Sequence, residues 1–193
     1  MKLIYKGENI LNVPNALSFY RLLMFPVILT LALLGYELWF IVLFCISLVT
    51  DVLDGLTART FNLVTKFGAQ LDYLADSGSY VLAIIGIALF KWPDIQPHSW
   101  LLYIFVALII IQYIIALKKF GKIPGLHIFS VVASGYIQGT FLFILFAYDF
   151  IPWFYYFAIG WGVIAYIEKI IILLKLKEIR RGVKGLYWLM KNN

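Results

Sequence analysis

The chain has 193 residues, 63% of them hydrophobic and 13% charged, with a formal net charge of +6. Soluble domains are about 45–50% apolar and about 25% charged, so this composition excludes an ordinary water-soluble enzyme. It also argues against nucleic-acid binding, because no soluble basic surface is left to present; the charge fits contact with anionic lipid headgroups.

Taken in chain order, the first residues lack an apolar run followed by a small-residue cleavage site, so no removable signal peptide is expected. A short amphipathic N-terminal segment comes first, and Pro14-Asn15 suits a bend into the first span. A helical span needs about 20 apolar residues. The pattern predicts six, near 18–35, 38–59, 67–90, 100–117, 128–147 and 153–174, followed by a basic tail. The apolar part of the second ends at Val49, so the turns carrying Asp51 and Asp54 must complete it near one interface. The expected fold is an all-α polytopic membrane protein, a single domain over residues 1–193.

Lys2, Lys6, Arg21, Arg59, Lys66, Lys118, Lys119, Lys122 and the tail cations fall on one side of such a layout, against Lys91 alone opposite. Cytoplasmic loops collect Lys and Arg, which predicts both termini and the aspartates at the cytoplasmic face. Trp39, Trp92, Trp100, Trp153 and Trp188 sit near predicted interfaces as anchors. The single Cys45 rules out an intrachain disulfide framework.

The chemistry is concentrated in one run, Asp51-x2-Asp54-Gly55-x2-Ala58-Arg59-x8-Gly68-x3-Asp72-x3-Asp76. Residues 51, 54, 55 and 58 share one helix face, and 68, 72 and 76 share another. A carboxylate near the bilayer centre costs roughly 3 kcal/mol, so four together call for compensation. Cations at matching depth look too few to pair them. A short connection makes the two helices antiparallel neighbours whose acidic faces can meet. An oxygen-only donor set suits Mg²⁺, Mn²⁺ or Ca²⁺, and two ions could share it as in phosphoryl-transfer clamps. Arg59 and Lys66 flank the run and suit an anionic substrate, or serve as ordinary interfacial cations.

That run resembles, position for position, the signature of the CDP-alcohol phosphatidyltransferases. The opening segment Asn12-Val13-Pro14-Asn15-Ala16-Leu17-Ser18-x2-Arg21 is similar to the first-helix start of bacterial members. The resemblance implies transfer of a phosphatidyl group from a CDP-linked lipid, usually CDP-diacylglycerol, to a small alcohol with release of CMP. It implies two Mg²⁺ or Mn²⁺ ions, with Asp51 and Asp72 bridging both, Asp54 completing one site and Asp76 the other. It makes Asp76 the base as well. It places Pro14, Asn15, Gly55, Ala58, Arg59, Thr65 and Gly68 around the nucleotide, and it implies a homodimer.

The acceptor is less legible. Lys118, Lys119 and Lys122 could bind a phosphorylated alcohol such as glycerol 3-phosphate, or be plain interfacial cations. Many relatives carry lysine near the position of Val132, and its absence favours a neutral acceptor. His127, Ser130, Ser134 and Gln138 form a polar stripe that suits a neutral polyol, or simply interhelical hydrogen bonds. Two rivals remain. A polyprenyl transferase would lack this Gly/Ala/Arg/Gly framework, and a divalent-cation transporter would need polar residues in the far half of each span.

Overall fold

The computed structural model describes residues 12–61, 63, 65–121, 128–176 and 185–191, nearly all helical and without strands among them. The order is α1 (Val13–Leu33), α2 (Glu37–Thr60), α3 (Lys66–Gly86), a π turn (Ile87–Lys91), α4 (Trp92–Ile95), a 3₁₀ turn (Gln96–His98), α5 (Ser99–Phe120), α6 (Phe129–Ala147), α7 (Pro152–Lys175) and α8 (Leu186–Lys191).

Five stretches are long and apolar enough to cross a membrane. The count differs from six because the predicted third and fourth spans run on as one helical stretch, Phe67–Phe120, of 54 residues. Trp92-Pro93 lies between those two predicted spans. Pro93 follows directly on the π turn Ile87–Lys91, the kind of irregularity that accommodates proline's missing N–H inside a helix that continues. The 54 residues of this stretch are more than twice the about 20 that a span needs. Its two long parts, α3 and α5, each match a span by themselves. The chain divides into two compact units at this point, residues 1–93 and 94–193.

In the first unit, α2 and α3 pack chiefly along α1 and less against each other. Asn12 caps α1, its side chain accepting from the Asn15 N–H at 2.9 Å, and Pro14 occupies the first turn. Gly35, at φ 78°, ends the helix while the Tyr36 N–H returns to the Leu31 carbonyl. Thr65 caps α3 through the Gly68 N–H at 2.9 Å. The apolar end of the unit is closed by Ile28, Ala32, Leu82 and Ala83, with Phe40 stacked on Phe44 at 5.4 Å.

In the second unit, α7 packs against both α5 and α6. Aromatic side chains fill the seams: Phe105 meets Tyr166 edge-on at 5.4 Å, and Phe141 meets Tyr155 at 5.8 Å. The short α8 is docked by Leu186 and Leu189 against Ile128, Ile172 and Leu176. Glu168 of α7 holds its start, accepting from the Leu186 N–H at 2.7 Å while Ser130 Oγ donates to its other oxygen. In both units large apolar side chains point outward, among them Leu23, Leu38, Trp39, Phe129 and Trp153. That is how a chain solvated by lipid disposes its surface.

Candidate active site

The polar centre of the first unit is built on α1. Asn15, Ser18 and Arg21 lie on its buried face, all under 6% exposed: 5%, 3% and 3%. They recur every three residues, so a polar stripe turns inward where an isolated apolar span would keep its surface greasy.

Arg21 is the hub. Its Nη1 pairs with Asp51 of α2 and lies 3.5 Å from Asp54 and 3.4 Å from Asp72 of α3. Its Nη2 bonds Asp76 at 2.8 Å and Ser79 Oγ at 3.3 Å. The four aspartates of α2 and α3 therefore converge around a guanidinium supplied by α1. One cation does lie at their depth, and a single guanidinium is too few to neutralise four carboxylates. Read by charge alone, Arg21 counts as one more interfacial cation; its place on the Asn15/Ser18 stripe was the signal that it turns inward.

The carboxylates do not share one environment. The side chains of Asp51, Asp72 and Asp76 are 39%, 44% and 43% exposed, whereas that of Asp54 is 5% exposed. Asp51, Asp72 and Asp76 each bring an oxygen within 4.8 Å of the others, a spacing on which a cation could sit. Asp54 lies outside that trio at the floor, accepting from Ser18 Oγ at 3.0 Å. The floor is thus Arg21, Asp54 and Ser18, and the mouth is three half-open carboxylates. An all-oxygen donor set with an accessible mouth fits Mg²⁺ or Mn²⁺, which keep part of their water or take substrate phosphate oxygens.

Beside this cluster the start of α1 meets the start of α3. Asn15 Nδ2 lies 3.4 Å from Thr65 Oγ1. A Cβ added to Gly68 would run into the side chains of Asn15 and Thr65, so only glycine fits this crossing. Pro14, Asn15, Thr65 and Gly68 thus form one contiguous corner. Gly55 and Ala58 are half-buried on α2, on the helix face that also bears Asp51 and Asp54. The side chains of Arg59 and Lys66 lie outside the described residues.

The residues proposed for an acceptor belong to the second unit. Lys122 and His127 lie outside the described residues. Lys118 is exposed near the end of α5. Lys119 donates to the Leu173 and Leu174 carbonyls at 3.1 and 2.6 Å, capping the end of α7. Ser134 and Gln138 are buried at 1% and 4% exposure, and neither Ser134 Oγ nor Gln138 Nε2 has a hydrogen-bond partner. Ser130 is committed to Glu168. Glu168 and Lys169, side by side in a helix otherwise apolar at that level, were not singled out from sequence. Lys169 stands half-buried with its ammonium 5.3 Å from the Tyr166 ring centre.

Comparison with known proteins bears on the same residues. The sequence model of the CDP-alcohol phosphatidyltransferases matches residues 11–174. A CDP-diacylglycerol–glycerol-3-phosphate 3-phosphatidyltransferase of Aquifex aeolicus is 32% identical over 119 residues, covering 61% of this chain and 67% of the relative. Proteins of the same name from Salmonella choleraesuis (32% over 93 residues, 46% of this chain and 47% of the relative) and Rickettsia typhi (34% over 94 residues, 47% and 52%) are also similar. The chain spans about half the length of most of these curated relatives. No solved structure matches it.

Proposed function

Because the chain belongs to the CDP-alcohol phosphatidyltransferase family, we propose that it transfers a phosphatidyl group from CDP-diacylglycerol to a small alcohol, releasing CMP, in phospholipid synthesis. The observation that carries the reading is the mouth of three half-open carboxylates, Asp51, Asp72 and Asp76, on spans of an integral membrane protein. There a lipid and a water-soluble alcohol can arrive together.

Asp51, Asp72 and Asp76 would hold divalent ions, with Asp54 added from the floor. When bound, Mg²⁺ or Mn²⁺ supplies charge neutralisation for the pyrophosphate and polarises its phosphorus. The protein's own part is positioning and proton transfer. The Asn15/Thr65/Gly68 corner, with Pro14, Gly55, Ala58 and Arg59, would seat the nucleotide. Asp76 would accept the proton of the acceptor hydroxyl. The acceptor oxygen then bonds to the lipid-side phosphorus, and the bond from that phosphorus to the bridging oxygen breaks. CMP carries that oxygen away.

Glycerol 3-phosphate is the preferred acceptor in this reading. The names of the relatives support it over the neutral alcohol suggested by Val132 and the stripe on α6. Two features of the second unit agree. Val132 is 41% exposed, so a missing lysine there removes nothing from an interior pocket. Ser130 is held by Glu168 and is not available to a polyol. In the same reading the mouth faces the cytoplasm, as the Lys/Arg asymmetry requires, and a second copy of the chain is the partner.

The test is an acceptor screen in lipid nanodiscs with CDP-diacylglycerol and labelled glycerol 3-phosphate, inositol, inositol phosphate, serine or glycerol. The reading expects labelled lipid from glycerol 3-phosphate. Product from a neutral alcohol alone would return the acceptor to the stripe on α6, and no CMP release with any acceptor would remove the transferase reading.

A further inference from the structure

We infer that Arg21 is a built-in counter-cation for the carboxylate site: it gathers the four aspartates before divalent ions arrive and competes with those ions for the same oxygens. The inference rests on the metal-binding reading above and deepens it.

Every carboxylate–cation pair within 4.0 Å among the described residues involves Arg21, and together these pairs account for all four aspartates. One positive charge against four negative ones leaves a strongly anionic cluster that a divalent ion can still enter. The layout gives the two cations opposite approaches. Arg21 reaches the oxygens from the floor, with its side chain 1% exposed, and the mouth beyond Asp51, Asp72 and Asp76 is open.

The chemistry of the guanidinium makes competition unavoidable. Arginine does not lose its proton in proteins, so Arg21 cannot be neutralised when another cation binds beside it. It can only loosen its hold on the carboxylates. Its Nε is buried without a hydrogen-bond partner, so the carboxylates and Ser79 are what hold the guanidinium in place. By thermodynamic reciprocity, whatever Arg21 takes from ion affinity, the ions take from the Arg21 contacts.

A purely structural arginine and a counter-cation make opposite forecasts for Mn²⁺. If Arg21 only shapes the site, removing it disorders the carboxylates and weakens ion binding. If it competes, removing it strengthens ion binding. Repulsion between a unit charge and a divalent ion about 4 Å apart is large enough, even at the effective dielectric of a protein surface, to shift affinity by at least about tenfold.

The experiment uses the full chain in nanodiscs, wild type and Arg21→Gln, with two readouts. Free Mn²⁺ is followed by electron paramagnetic resonance during titration, and thermal melting is recorded with chelator and with saturating Mn²⁺. The expected result is Mn²⁺ bound about tenfold or more tightly by Arg21→Gln, together with a lower melting temperature in chelator that recovers towards wild type when Mn²⁺ is added. Equal or weaker Mn²⁺ binding by Arg21→Gln, with wild type binding normally, overturns the role of Arg21 and leaves the metal site standing. A wild-type chain that takes up no Mn²⁺ overturns both. A glutamine variant that folds only with Mn²⁺ supports the inference. If it folds in neither condition, Arg21→Lys decides: its point charge grips fewer carboxylates, so Mn²⁺ affinity should rise about threefold, and an unchanged or lower affinity overturns the inference.

Discussion

The two units solve the problem of packing helices in lipid by different means. The second uses what a lipid-solvated chain ordinarily uses: aromatic seams such as Phe105–Tyr166, small residues such as Gly162 where side chains press close, and scattered polar clasps such as those of Glu168 and Lys119. The first organises its centre with charge. Its three helices meet at Arg21 and four aspartates, with Ser18, Asn15, Thr65 and Ser79 around them. Lipid offers no hydrophobic drive for helix association, so each polar group brought inward must be matched there. A unit designed only for stability would be built like the second. The polar construction of the first is what the proposed chemistry calls for.

The sharpest way to break this contrast is to neutralise the mouth. Asp51→Asn or Asp72→Asn should abolish phosphatidyl transfer and weaken Mn²⁺ uptake, while the corresponding loss of charge at Glu168 should leave turnover largely intact. Near-normal CMP release by either aspartate variant would move the chemistry elsewhere.

Asp76→Asn should be next in size. Three carboxylates remain to hold an ion, so CDP-diacylglycerol should still bind while turnover falls by roughly 10²–10⁴-fold, the usual span for a general base. Loss of nucleotide binding instead would make Asp76 chiefly a ligand. A smaller effect is expected where α1 crosses α3. Gly68→Ala would push its methyl into Asn15 and Thr65, costing about 1–3 kcal/mol of stability by overpacking and raising the KM for CDP-diacylglycerol. A variant with wild-type melting and KM would show that the corner is not a substrate wall.

The smallest effect belongs to the second unit. Glu168→Ala removes the acceptor of the Leu186 N–H and of Ser130 Oγ. Leaving such donors unmatched costs about 1–3 kcal/mol, which should free α8 and speed tryptic cleavage of the C-terminal segment. Unchanged cleavage would show that the contacts of Leu186 and Leu189 hold α8 alone.

These effects also show what could be read from sequence. The spans follow from their apolar length, and the aspartate faces follow from helical period, because both depend only on local spacing. The join of α3 to α5 was not legible: Trp92-Pro93 reads as a break, and here it follows a π turn within a helical stretch that continues. Arg21 was visible as a residue but not as a hub. An arginine near a span end fits the cytoplasmic-charge rule so well that the Asn15/Ser18 stripe, which points it inward, is easily passed over. Glu168 was missed for a related reason, since its partners, Ser130 and Leu186, are distant in sequence. Lys119 has a partner that spacing could not show either, the end of α7.

The most direct test of the central claim is CMP release from CDP-diacylglycerol by the full chain in nanodiscs, with glycerol 3-phosphate present, titrated with Mn²⁺ after chelation. The account predicts no release in chelator, release restored as Mn²⁺ is added, and none at any Mn²⁺ concentration for Asp51→Asn. Release that is indifferent to chelator, or that persists in Asp51→Asn, would contradict it.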